Sequence, residues 1–226
     1  SVNVPNLLFA GRDISCTHMA LSATRVMGTC ATLGQAVGTA VAVAQKYGVM
    51  PASVRKDHIA ELQNTLEDDD CMLPYRWRKV SPLTKKAMLA NADLEVLRNG
   101  IDRVYNKKDN GVWCEAGTTN LVYRWSAPQK LSGVRLIFDS DMKFTNKRML
   151  KLEAEHGRRS MPAMLAKGFR LDAHVGGEWK TVFDEKLNIL RLRKVSFEPV
   201  EADALRLVVT ESWGGGKAHV FAFDAL

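Results

Sequence analysis

The feature that most constrains this chain is a run of small residues at every fourth position between Thr24 and Tyr47: Cys30, Gly34, Gly38 and Ala42. The apolar pattern around them predicts one long helix over about residues 24–47, and in a helix side chains four apart stack on one face. That face is almost bare backbone. An interior glycine costs about 1 kcal/mol relative to alanine, so two on one stripe point to close approach by another backbone.

Three readings meet the stripe: a membrane seam, the packed side of an ordinary amphipathic helix, or a helix seated on a dinucleotide-binding unit. No membrane span is expected. Arg25, Gln35, Gln45 and Lys46 confine the uninterrupted apolar run to residues 36–44, far short of the roughly 20 residues a span needs. A face so bare also suits self-association through Gly34 and Gly38. Upstream, NLLFA at residues 6–10 reads as a short buried strand, Gly11 as a turn, and the residues through His18 as a polar loop.

Taken in order, the strand, GRD at 11–13, TRVMGTC at 24–30 and GQAVGTA at 34–40 resemble the C-terminal, flavin-contacting segment of FAD-dependent oxidoreductases. The resemblance covers roughly the first 66 residues. It implies that Gly11, Arg12 and Asp13 sit at the ribityl and pyrophosphate region of FAD, with Asp13 accepting hydroxyl hydrogen bonds. It also implies that the amides of Arg25, Val26 and Met27 point at the isoalloxazine carbonyl. A helix N-terminus suits that task, because its unpaired N–H groups and partial positive charge favour electron-rich atoms. In such a protein His18 and Arg25 are the candidate catalytic residues, supplying a base or a cation beside the substrate carbon.

The ADP half of such a site is carried by G-x-G-x-x-G between a strand and a helix, and no such motif occurs in the 226 residues. The nearest glycine cluster, Gly214 to Gly216, follows a strand but opens no helix. The expectation is therefore the C-terminal part of a longer flavoprotein, whose missing partner is the N-terminal Rossmann portion. FAD is not expected to be held by this chain alone, and no compartment can be assigned from its sequence.

After Gly48, a second helix is expected from Pro51 or Ala52 to Leu66, with Ile59, Leu62 and Leu66 on one face. The acidic run Glu67 to Asp70 lacks the glycine and alternating ligands of a calcium loop. Residues 1–73 thus form the incomplete FAD segment and residues 74–91 a connector. From residue 92 to 226 the pattern turns to period two. Candidate strands are 120–125, 133–139, 168–175, 179–183, 189–197, 204–210 and 218–223, separated by turns such as SAPQK, GGE and WGGGK. Residues 142–167 read as an insertion with a short helix near 149–155. Many strands without intervening helices argue an antiparallel sandwich.

The succession NGIDRVY, GVWCEA, LVYRWSAPQKLSGVRLIF, FRLDAHVGGEWKTV, LRLRKVSF, ADALRLVVTES and HVFAFDA resembles a galactose-binding-like, discoidin-type jelly roll. The fold class expected is α+β: the helical remnant of a Rossmann-type FAD domain, then this β-sandwich. Domains of that type often bind sugars through loops at one end. A sugar site wants an aromatic plane and hydroxyl-binding polar groups. Trp213, in SWGGGK, is the aromatic candidate, with Arg103, Asp109 and Asn110 as polar partners. Trp113, Trp125 and Trp179 are expected to fill the core.

Composition limits the alternatives. The net charge of +7 is divided as +2 through Leu94 (10 basic, 8 acidic) and +5 beyond it (22 basic, 17 acidic). Charge so dispersed, with no basic-aromatic module, gives no expectation of nucleic-acid binding. The four cysteines have neither metal spacing nor disulfide density, and the five histidines form no metal pair at helical spacing, so no metal is expected. Two functions remain open: the tail of an FAD-dependent oxidoreductase whose sandwich binds a sugar or glycan or positions substrate, or a non-catalytic carbohydrate-binding or interaction module without a redox role.

Overall fold

The computed structural model describes residues 1, 3–142 and 161–226, which divide into two compact units, residues 1–79 and 80–226. The short helix expected at 149–155 lies outside the described residues. The fold is α+β, with helices in the first unit and an antiparallel sheet system in the second.

In the first unit a 3-10 turn at Gly11–Asp13 precedes α1 (His18–Thr24), α2 (Met27–Tyr47), α3 (Pro51–Asp57) and α4 (Ile59–Asp68). Two expectations need correction. Residues 6–10 form no strand: a strand's N–H and C=O groups need a ladder partner, and no strand is described within residues 1–79. The polar loop through His18 and the single helix from Thr24 are instead two helices. Thr17 caps α1 by accepting from the Ala20 amide at 3.3 Å. Val26 is then extended (φ −71°, ψ 147°), so helical bonding restarts at Met27.

The C-terminus of α2 follows its sequence. Gly48 adopts φ +63° and its N–H reaches the carbonyls of Ala44 and Gln45, a left-handed cap that glycine takes at least cost. The second expected helix is α3 and α4, broken at His58 (φ −131°, ψ 17°). Val43 and Ala44 of α2 pack on Val54, Leu62 and Leu66. Ile59, expected on that face, is exposed. Glu61 ties α4 to the end of α2, accepting from Lys46 Nζ at 2.7 Å and Tyr47 Oη at 2.6 Å.

By length and composition α2 is also apolar enough to cross a membrane, with 11% of its most apolar window buried. The unbroken apolar run is short, but alanine, glycine and threonine keep the whole helix apolar around Gln35. Length and composition alone assign no membrane location, since a core helix passes the same test.

In the second unit α5 (Pro82–Lys86) and β1 (Met88–Leu89) precede a 3-10 segment, Ala92–Arg98. These are followed by β2 (Val112–Glu115), β3 (Asn120–Phe138), β4 (Ala166–Val175), β5 (Glu178–Glu185), β6 (Leu192–Ser212) and β7 (Lys217–Ala225). Residues 80–91, expected to be connector, are bound into this unit. Ser81 Oγ donates to the Ala225 carbonyl at 2.7 Å, Thr84 Oγ1 accepts from the Ala225 amide at 2.7 Å, and Trp125 Nε1 donates to the Leu83 carbonyl at 3.0 Å.

The strands run β2-β7-β3-β6-β4-β5, with β1 beside β3. β3 and β6 each combine two expected strands, because SAPQK and EPVEAD are bends within continuous strands. Their register shifts between Arg124 and Gln129. The N-terminal half of β3 pairs with the C-terminal half of β6, next to β4 and β5; the other halves lie with β7 and β2. The two sheets of the sandwich are thus joined through bent strands. Between them lie Leu121, Tyr123, Trp125, Leu136, Phe138, Phe169, Leu171, Leu205, Leu207 and Phe223, all buried. The strand alternation places their neighbours outward.

Candidate functional sites

In the first unit, the 3-10 turn carrying Gly11, Arg12 and Asp13 lies against α2. Gly11 has φ +71°, a conformation most side chains avoid, and a Cβ there would meet nothing within 4 Å. Val26, the N-cap of α2, offers no side-chain cap. Among the described residues the amides of Val26, Met27 and Gly28 have no backbone acceptor, and Met27 is 85% exposed. The N-terminus of a 21-residue helix therefore presents bare donors beside the Gly11 turn. The Arg25 amide, expected among them, is already bonded to the Leu21 carbonyl at 3.1 Å, because Arg25 closes α1. The side chains of His18 and Arg25 are exposed, as is Asp13.

The small-residue stripe is open. Gly34, Gly38 and Ala42 are exposed, and a Cβ on either glycine would meet nothing within 4 Å. Cys30, at its head, is partly buried because its Sγ turns to the Thr24 carbonyl at 3.5 Å. Val4, Leu7, Phe9, Val26, Met27 and Val41 are also exposed in this unit.

On the sandwich, the expected sugar residues separate. Trp213 is partly buried against the core, donates Nε1–H to the Asn188 carbonyl at 2.8 Å, and has Lys167 Nζ 5.5 Å from its ring. Asn110 is buried and organises its loop: Nδ2 donates to the carbonyls of Arg103 (3.1 Å) and Lys108 (3.3 Å), and Oδ1 accepts from Asn99 Nδ2 at 3.2 Å. Arg103 contributes that carbonyl. Asp109 accepts from the Gly111 amide at 3.1 Å and meets His219.

The exposed aromatic plane is instead Trp113, expected in the core but 41% exposed. It lies on β2, an edge strand, on the outward phase opposite Cys114, which is fully buried. Its ring stacks on His219 of β7 at a centroid distance of 4.2 Å and 3° from parallel. His219 is completely buried. Its Nδ1 lies 2.8 Å from Asp139 Oδ2, and its Nε2 lies 3.2 Å from Asp109 Oδ1, off the hydrogen-bond line. Gly111 lets the loop close over this ring, since a Cβ there would fall 2.4 Å from His219 Nε2.

Burial opposes the charge of Asp139, but the hydrogen bonds from His219 and the Asp141 amide, with the charges of His219 and Arg191, outweigh it. The Asp139 carboxyl is held below its ordinary range. Arg191 itself is fixed by the carbonyls of Phe138 (3.1 Å) and Asp102, and Asp102 forms a buried ion pair with Arg135 at 2.8 Å. The result is a hydrogen-bonded bed of polar groups beneath an exposed indole with a partly exposed carboxylate, Asp109, at its side. Such a bed can stack the apolar face of a sugar and accept from its hydroxyls. The sequence held one signal for it, the alternation in HVFAFDA that puts His219 outward, but Asp139 is 80 residues away in sequence. Among the described residues no group of acidic, cysteine and histidine side chains could hold a metal ion.

Comparison with known proteins gives two separate results. Residues 1–66 match the family model described as FAD dependent oxidoreductase. Among solved structures, the chain is similar to the family 32 carbohydrate-binding module of Streptococcus pneumoniae EndoD, with TM-score 0.45 and 14% identity, covering 62% of this chain and 94% of that one. It is likewise similar to CBM32-1 from a family 31 glycoside hydrolase of Clostridium perfringens, with TM-score 0.43 and 11% identity, covering 66% and 97%. A chitosan-binding module from the chitosanase/glucanase of Paenibacillus sp. IK-5 gives TM-score 0.39 and 12% identity, covering 66% and 95%. Comparison with curated proteins gives no match.

Proposed function

We propose that this chain is the flavin-closing portion of an FAD-dependent oxidoreductase joined to a carbohydrate-binding β-sandwich. The observation that carries the reading is the open face of α2. Within the segment that matches the FAD dependent oxidoreductase model, a helix presents uncapped amides at Val26, Met27 and Gly28 and an exposed glycine stripe at Gly34 and Gly38. The bare donors suit the carbonyl edge of a flavin, and the stripe suits a nucleotide-binding domain packed on it.

The residues present fit half of the cofactor. Gly11 leaves room for a close approach, Asp13 is a free hydroxyl acceptor, and the α2 amides are donors, while the phosphate-binding G-x-G-x-x-G is not in these 226 residues. FAD, when bound, accepts a hydride from the substrate. His18 and Arg25 are the groups of this chain that take a substrate proton or steady developing negative charge. Both are exposed, as a substrate-facing role requires.

On the sandwich, Trp113 stacks the sugar and Asp109 accepts from its hydroxyls, with His219 and Asp139 holding the indole in place. Trp213, Arg103 and Asn110 shape the supporting loops. FAD released by denaturing the natively purified intact parent, measured by chromatography, tests the first part. About one FAD per chain is expected, and none would remove the oxidoreductase reading. Calorimetric titration of this chain with neutral mono- and oligosaccharides tests the second. Heat that disappears in Trp113→Ala is expected, and heat unchanged in that variant would place the site elsewhere.

A further inference from the structure

The outer face of the second sheet carries another built cluster, centred on Trp179 of β5, which is expected in the core but lies partly buried on the outward phase of its strand. The cross-strand register sets one row as Arg124, Ala204, His174 and Trp179, and the next as Val122, Arg206, Asp172 and Thr181. Ala204, between Arg124 and His174 in this row, carries only a methyl group and is fully buried. The Arg206 guanidinium lies 4.3 Å from the Trp179 ring centroid and that of Arg124 lies 5.8 Å from it. His174 meets the same ring at 5.1 Å and is held by Asp203 at 2.6 Å.

Asp172, 2% exposed, accepts from Arg206 Nε (3.0 Å) and Nη2 (2.7 Å), Arg170 Nε (2.9 Å) and Thr181 Oγ1 (2.9 Å). One carboxylate thus anchors two guanidiniums. A third, Arg124, is exposed and makes no hydrogen bond or ion pair among the described residues. Arg206 uses Nε and Nη2 on Asp172, and among the described residues its Nη1 makes no hydrogen bond. Arg124 and Arg206 are diagonal neighbours on adjacent strands, about 7–8 Å apart at the backbone, a span that one carboxylate can bridge from two long side chains.

We infer that this face binds an acidic saccharide, with a carboxylate between Arg124 and Arg206 Nη1 and the sugar ring against Trp179. A guanidinium paired with an aromatic plane recognises a charged sugar rather than a neutral one, because the ring supplies stacking area and the guanidinium supplies directed, charge-assisted donors. The pre-fixed Arg206 loses little side-chain freedom on binding. This rests on the reading that the sandwich takes carbohydrate, but it uses residues separate from Trp113.

The test is affinity electrophoresis of the whole chain through gels containing polygalacturonate or, as a neutral control, dextran. Retardation by polygalacturonate alone is expected, weakened at least about tenfold by Arg124→Glu and by Trp179→Ala, and diminished by added salt. Arg124 supports no buried group, so its variant should keep the parent melting temperature. Trp113→Ala should leave polygalacturonate binding intact, and Arg124→Glu should leave neutral-sugar binding intact. No retardation by polygalacturonate, or retardation undiminished in Arg124→Glu, overturns the inference. Loss in Trp113→Ala but not in Arg124→Glu also overturns it, by assigning acidic sugars to the other face.

Discussion

Trp113 and His219 face each other across β2 and β7 with their rings 4.2 Å apart, the indole exposed and the imidazole fully buried. The two residues should therefore respond differently to truncation. Trp113→Ala removes a stacking plane and is expected to weaken sugar binding at least about tenfold with a stability change below about 1 kcal/mol. His219→Ala takes the imidazole from Asp139 Oδ2 and leaves a cavity in a fully buried position, and is expected to cost on the order of 3 kcal/mol in urea unfolding. Calorimetry and chemical denaturation of the two variants check the pair.

Trp213 makes the contrasting prediction. Its indole N–H closes on the Asn188 carbonyl, and Asn188 is itself fully buried, donating to the carbonyls of Ala166 and Leu190 at 2.8 and 3.0 Å. Trp213→Ala is expected to destabilise the sandwich by about 2 kcal/mol and to leave sugar affinity within twofold.

Much of this architecture was legible in the sequence, and the losses have physical reasons. The period-two alternation located the strands, and the Gly48 cap fixed the end of α2. The bends at SAPQK and EPVEAD read as turns because proline and polar residues look alike in a turn and in a bent strand. Alternation does not say which phase of a short edge strand faces inward, and this hides the exposure of Trp113. Asp139 and His219 meet only through the sheet, so no local pattern joins them. NLLFA read as a strand from its composition, but a strand exists only where a partner supplies the ladder.

Acid should unfold the sandwich through two carboxylates. Burial disfavours the charge of Asp139 and Asp172, but hydrogen bonds and nearby cations outweigh it, leaving both below the ordinary 3.8. A carboxyl depressed in the folded state contributes stability that is full above its unfolded pKa and is lost as pH falls through the folded one. Urea unfolding followed by tryptophan fluorescence is expected to show constant stability from pH 7 to about 5, then a decline below about pH 4. Asp172→Asn should flatten that decline and lower stability at pH 7.

Thiol labelling separates the cysteines by burial. Cys114 is completely buried, and desolvation pushes its thiol up to about 12, whereas Cys16 is exposed. Because the thiolate is the reactive form, Cys16 is expected to react with a disulfide reagent at pH 8 in the native protein and Cys114 only after denaturation. Mass spectrometry of the labelled peptides checks this.

One spectrum tests the proposal that the bare face of α2 receives a flavin domain. In this chain Gly34→Leu/Gly38→Leu should be tolerated, since nothing lies within 4 Å of either added Cβ and leucine favours helix. In the natively purified intact parent, flavin absorption near ~450 nm is expected, and its loss in the same double variant. A parent without flavin absorption, or one that keeps its full absorption with both leucines present, would contradict it.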